Sequence, residues 1–254
     1  MIVNAHCHIN SSEYDLAEKE NIITICKAKN IKCLVTGTNI KDSKEAICLS
    51  EKYDNLLAVV GIYPGEIANV NEQTFKDLET LLLKKSVVAI GEIGLDYYYS
   101  KVDEQKQKRV FIKQLNLARK YHLPVVIHCR DAFLDTYNIV KDFSDVPKVF
   151  HCYSGSLEMA KRFILLNSYL SFGGIITFKN AKTAKEVVEN IDLDHLLVET
   201  DCPYLTPEPF RGKQNKAYYV TYIVDKMASL KGVTKEMVEE KTAFNAKKIF
   251  GDKI

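Results

Sequence analysis

No stretch of this chain stays apolar for anything near the ~20 residues that a bilayer-spanning helix needs. Nor does it open on a basic segment followed by an apolar run, as a secretory leader would. Cysteine usage excludes a disulfide framework: the seven cysteines are an odd number and form no C-x-x-C pair. Charge of one sign is not in excess either. Thirty-five Lys and Arg against 33 Asp and Glu leave a net charge of +2, which rules out a wholesale basic footprint but permits a local basic patch. The chain has no G-x-S-x-G nucleophile turn, no Walker A loop and no G-x-G-x-x-G fingerprint. Internal repeats, low-complexity tracts and linkers are missing as well. These absences lead to the expectation of a soluble, cytoplasmic protein without membrane contact, forming a single domain over residues 1–254.

What is present is a regular alternation of short apolar runs and amphipathic segments. Strands are expected at residues 1–8, 31–37, 56–62, 87–92, 124–128, 147–151, 169–173 and 195–201. Leu56 to Ile62 is almost wholly apolar, as in a strand buried on both faces of a parallel sheet. Helices are expected at 14–29, 41–53, 71–85, 103–121, 131–142, 156–166, 181–190, 215–230 and 235–249, the last with Thr234 as N-cap. Eight such strands favour a closed (β/α)8 TIM barrel, an α/β fold of about 250 residues.

Metal-ligand residue types fall where these strands end. His6 and His8 are two apart on the first strand, so both project from one face. Glu92 ends the fourth strand, His128 the fifth, His151 the sixth and Asp201 the eighth. Taken singly, each has an ordinary reading as a surface or turn residue. Six at matching ends of five strands point to one site, because barrel enzymes carry their chemistry at that face. Four imidazoles and two carboxylates exceed the needs of one tetrahedral ion and suit two divalent ions sharing a carboxylate. His122 and His195 precede strands and belong to the opposite end. Cys7, Cys129, Cys152 and Cys202 each follow a proposed ligand; strand parity turns them towards the helices, as small buried hydrophobes. Arg130, Tyr153, Ser154 and Arg211-Gly212-Lys213 lie near the proposed ions, and guanidinium groups there suit an anionic substrate.

Six segments carry a resemblance to a known family. They are Asn4-Ala5-His6-Cys7-His8, residues 89–97 (AIGEIGLDY), residues 124–132 (PVVIHCRDA), residues 150–155 (FHCYSG), residues 199–207 (ETDCPYLTP) and Arg211-Gly212-Lys213. With them the chain resembles the TatD family of metal-dependent deoxyribonucleases, in the amidohydrolase-like barrel superfamily. The resemblance implies hydrolysis of phosphodiester bonds in DNA, commonly as a 3′ exonuclease, through a hydroxide bridging two divalent ions (Zn, Mn or Mg). His6, His8, Glu92, His128, His151 and Asp201 would hold the ions. Glu92 would bridge them, Asp201 would also accept a proton, and Arg130, Tyr153 and Arg211 would contact substrate.

The chain departs from the family pattern at Asn4, where Asp is usual, and at Tyr63-Pro64-Gly65, where His-Pro-His is usual. It also has Leu134 where an acidic residue is common, and Phe210 where a His often stands. Two other readings stay open. One is an amidohydrolase or esterase acting on a small molecule or aminoacyl-tRNA, although relatives of that kind often bridge their ions through a carboxylated Lys. The other is a metal-stabilised barrel that binds nucleic acid or protein without turnover.

Overall fold

The computed structural model describes residues 1–100 and 102–254. Eight parallel strands close in sequence order: β1 (Ile2–Cys7), β2 (Ile31–Thr36), β3 (Leu56–Val60), β4 (Val87–Asp96), β5 (Val125–Arg130), β6 (Lys148–Phe150), β7 (Ser168–Phe172) and β8 (Leu196–Val198). The pairing Asn4↔Val198 joins the last strand to the first. The intervening helices are α1 (Leu16–Ala28), α2 (Ile40–Lys52), α3 (Glu72–Leu82), α4 (Glu104–Tyr121), α5 (Phe133–Val140), α6 (Leu157–Ile164) and α7 (Lys182–Asn190). After β8 come α8 (Val220–Lys231) and α9 (Lys235–Phe250), the latter capped as expected by Thr234, whose hydroxyl accepts the Met237 N–H. The structure is the (β/α)8 barrel read from the alternation. No described helix is long and apolar enough to cross a membrane.

Two buried clusters follow from strand parity. Val3, Ala5, Leu34, Leu57, Val59, Ala89, Val126, Val149, Tyr169 and Leu197 fill the barrel interior. Ala246, Ile249 and Phe250 of α9 join them, so this helix plugs the end where the strands start. The alternate strand residues, among them Cys33, Val35, Val60, Ile93, Leu95, Ile127 and Phe172, pack outward against the helices.

Two register shifts interrupt the alternation where the chemistry lies. Three residues of β1 span two of β2 between Asn4↔Cys33 and Cys7↔Val35. Likewise Ile90↔Val125 is followed by Ile93↔Ile127. Each extra residue resets the parity beyond it. Ala5 therefore points inward, and yet His6 beside it also reaches the site. Strand β4 also runs to Asp96, four residues past the end expected at Glu92. Gly94 makes that possible: at φ +140° it pairs with His128, and a Cβ there would lie 2.0 Å from the His128 carbonyl oxygen.

Candidate metal centre

All six expected ligands converge at the C-terminal mouth of the barrel. His6 Nε2 and His8 Nε2 are 3.0 Å apart, and lie 3.4 and 3.5 Å from Asp201 Oδ1. On the other side, His128 Nδ1 and His151 Nε2 are 3.2 Å apart and lie 2.8 and 2.9 Å from Glu92 Oε1. Glu92 stands between the two histidine pairs. Its second oxygen, Oε2, is 3.7 Å from both His6 Nε2 and His8 Nε2. The rings of His6 and His151 stack at 4.0 Å, which ties the two halves together.

Outer partners set which nitrogen of each ring faces the centre. A main-chain carbonyl can only accept, so His8 Nδ1 donates to Thr36 O at 2.9 Å and leaves Nε2 for the site. His128 is held the other way round, with Nε2 on Asp96 Oδ2 at 3.0 Å. His151 Nδ1 is buried without a hydrogen-bond partner among the described residues, 3.7 Å from Glu199 Oε1. That Glu199 oxygen accepts the Cys152 N–H at 2.6 Å.

The electrostatics are those of a site built for cations. Burial works against ionising Glu92, but His151 and His128 outweigh it and hold the carboxyl well below its usual range. Burial likewise opposes the charge on Asp201, and His6 and His8 overcome it, lowering that carboxyl too. Burial favours neutral His8, against which Asp201 and Glu92 raise it to about 9. His6 is lowered, by burial first and then by the neighbouring His151. Glu92, Asp96 and Glu199 are buried and Asp201 nearly so, yet their ion-pair partners among the described residues are imidazoles alone. Four carboxylates gathered without a Lys or Arg partner call for compensating cations. The donor set of nitrogen and carboxylate oxygen fits divalent metal.

A pocket of about 690 Å³ opens over the centre, lined by His8, Glu92, His128, His151 and Asp201 and walled by Tyr63, Tyr99, Arg130, Ser154, Tyr204 and Leu205. Arg130, two residues beyond His128, faces it as parity requires, its guanidinium 5.0 and 5.9 Å from the Tyr98 and Tyr99 rings. Tyr153 does not face it. Strand β6 ends at Phe150, and the turn through Cys152 (φ +44°) carries Tyr153 away from the pocket, against the substrate contact that the resemblance implied. The Tyr153 ring is 2% exposed among Phe133, Phe150, Phe163 and Phe172, with its hydroxyl on the Ser156 carbonyl. Arg211 is also displaced: it lies over the Phe178 ring at 4.2 Å and is not among the pocket-lining residues. Cys7 and Cys202 are fully buried, while Cys129 and Cys152 reach the pocket wall. The clusters with metal-binding geometry among the described residues contain no cysteine.

The family described as TatD related DNase matches residues 3–251. The chain belongs to this family. A protein of Bacillus subtilis named uncharacterized metal-dependent hydrolase YabD is 41% identical over 253 residues, covering 98% of this chain and 99% of that one. A protein of Escherichia coli named uncharacterized metal-dependent hydrolase YcfH is 35% identical over 255 residues, covering 98% of this chain and 95% of that one. The crystal structure of YjjV, a TatD homologue from Escherichia coli, superposes with a TM-score of 0.92 at 26% identity over 98% of this chain and 97% of that one. The chain is thus a TatD-type metal-dependent hydrolase.

Against the family pattern, the departures after the third strand amount to one exchange. The Tyr63 ring occupies the space beside position 65, where a Cβ would come within 2.5 Å of it, so Gly65 makes room for Tyr63. The Tyr63 hydroxyl donates to Asp96 Oδ2 at 2.7 Å. Asp96 and Glu199 were not singled out from sequence as site residues. Alternation of Ile93, Gly94, Leu95 and Asp96 beyond Glu92 is the signal that the strand continues and brings Asp96 to the mouth.

Proposed function

We propose that this chain hydrolyses phosphodiester bonds of DNA, releasing nucleotides from a 3′ end, with two divalent ions held by His6, His8, Glu92, His128, His151 and Asp201. The observation that carries the two-ion reading is Glu92, whose Oε1 faces His128 and His151 while its Oε2 faces His6 and His8. Two dications also balance the four carboxylates of Glu92, Asp96, Glu199 and Asp201. Four imidazole donors favour zinc or manganese over magnesium, which prefers an all-oxygen shell. Bound there, such ions acidify water and stabilise charge on phosphoryl oxygens.

The protein's own side chains supply the rest. Asp201, held anionic and opening on the pocket, takes the proton of the attacking water. Arg130 offers the pocket's guanidinium to a phosphate oxygen, and the Tyr98 and Tyr99 rings beneath it restrict where that group can lie. Arg211, on the loop after β8 and over the Phe178 ring, would meet a neighbouring phosphate outside the pocket. Glu92 in place of a carboxylated Lys favours this reading over amide hydrolysis.

Metal-loaded protein is expected to release mononucleotides from short DNA, and chelation to stop it. Glu92→Gln should lower turnover by at least about 100-fold, since even changes behind a ligand cost about 10- to 100-fold. Arg130→Ala should keep the ions and slow DNA hydrolysis. Protein carrying zinc or manganese that releases no nucleotide, while cleaving an amide or simple ester, would sink the reading.

A further inference from the structure

His128 is the one proposed ligand backed by a carboxylate within hydrogen-bond distance among the described residues. The carboxylate is Asp96, which is fully buried and uses both of its oxygens. Oδ2 accepts from His128 Nε2 at 3.0 Å and from the Tyr63 hydroxyl at 2.7 Å. Oδ1 accepts the main-chain N–H groups of Tyr98 at 2.9 Å and Tyr99 at 2.6 Å, and of Ser100 at 3.5 Å. His8, by comparison, is oriented by the neutral carbonyl of Thr36, and His6 meets the Thr36 hydroxyl at 3.5 Å.

The chemistry of these partners fixes a proton. An ionised carboxylate only accepts, so Asp96 keeps an N–H on His128 Nε2; Nδ1 faces the Glu92 carboxylate at 2.8 Å and is the nitrogen whose lone pair an ion would take. Nδ1 is directed at the point where Glu92 Oε1 and His151 Nε2 converge. We propose that Asp96 is the positioning residue for the ion at the His128–His151 end, and that it acts by fixing the tautomer of His128. The proposal rests on the two-ion reading of the centre but not on DNA as the substrate. Tyr63, which also walls the pocket, shares Asp96 Oδ2 with His128 and so serves as the control for packing around the carboxylate.

Asp96→Asn separates tautomer from packing. Three main-chain N–H groups demand an acceptor, so the amide oxygen stays on them and the NH₂ group takes the place of Oδ2. That group donates to His128 Nε2, which must then carry the lone pair, and the proton moves to Nδ1. The ring keeps its place and loses its donor atom towards the metal. Tyr63→Phe is the control, because it removes a hydrogen bond from Asp96 but leaves the carboxylate on His128.

The test is calorimetric titration of metal-free protein with zinc or manganese ions alone, alongside the thermal midpoint of each metal-free variant. In Asp96→Asn, one binding step should weaken by about 10- to 100-fold while the other stays within about threefold. Its metal-free midpoint should fall by only a few degrees. Tyr63→Phe should keep both steps within about threefold. The proposal is overturned if Asp96→Asn binds like the wild type, or if all steps weaken together with a collapse of the metal-free midpoint. It is also overturned if Tyr63→Phe loses as much as Asp96→Asn, which would make the effect one of packing. No turnover is read, so failure of the phosphodiesterase reading leaves this result standing.

Discussion

Asn4 shows how much one side chain can settle. It is fully buried at the seam where β1 meets β8, and its Nδ2 donates to Thr200 Oγ1 at 2.8 Å and to the Ala217 carbonyl at 3.2 Å. Its Oδ1 accepts the Thr200 N–H at 3.1 Å. An aspartate would keep the Thr200 N–H and could accept from the Thr200 hydroxyl, but it would lose the Ala217 carbonyl and set a buried charge against it. Asn4→Asp, a return to the usual family residue, is therefore expected to cost about 2–4 kcal/mol in chemical denaturation. A variant as stable as the wild type would show that the Ala217 carbonyl finds another donor. The six candidate ligands were legible in the sequence because, although each alone has an ordinary reading as a surface or turn residue, together they fall at matching strand ends. Asn4 and Asp96 were not legible at this scale. Their importance lies in partners 213 and 32 residues away, which no local pattern reveals.

At the scale of elements, the eight strands were legible from apolar runs, whereas the two register shifts were not. A shift leaves the composition of a strand unchanged and alters only what each residue faces. Parity beyond the shifts still worked for His6 with His8 and for His128 with Arg130, because each pair lies wholly on one side of any shift. It failed at Cys152, which follows the end of β6 and reaches the pocket wall instead of facing the helices. Strand β4 is the element on which the centre depends most, carrying Glu92 at its shift and Asp96 at its end, with Gly94 between them. Gly94→Ala forces a Cβ into the His128 carbonyl and a side chain onto φ +140°. The expected loss is about 2–4 kcal/mol from backbone strain and overpacking together. Because relief requires β4 and β5 to part at His128, the folded remainder should also bind metal more weakly, as read by metal titration. Loss of stability with unchanged metal affinity would show that the strands part somewhere other than at the ligand.

At the scale of the whole molecule, the barrel separates chemistry from stability along its axis. Ligands, pocket and outer carboxylates crowd the C-terminal mouth. At the other end, α9 lies across the strand starts, where Asn245 Nδ2 donates to the carbonyls of Leu193 at 2.8 Å and Leu196 at 2.9 Å. Lys32 Nζ reaches the Lys253 carbonyl there at 2.6 Å. Phe250, 5% exposed, packs into the interior cluster with Val3, Leu57 and Val126, so the plug is an apolar extension of the barrel core. Phe250→Ala should lower unfolding free energy by about 3–5 kcal/mol, the usual cost of emptying a buried aromatic site. The candidate ligands lie beyond the layers of Val3, Ala5, Val59 and Ala89, so metal affinity should stay within about threefold of wild type. Denaturation and metal titration of the same variant give the two numbers. A loss under about 1 kcal/mol would mean that α9 merely covers the barrel. Weakened metal binding in a variant still fully folded would mean that the interior layers transmit a change from one end of the barrel to the other.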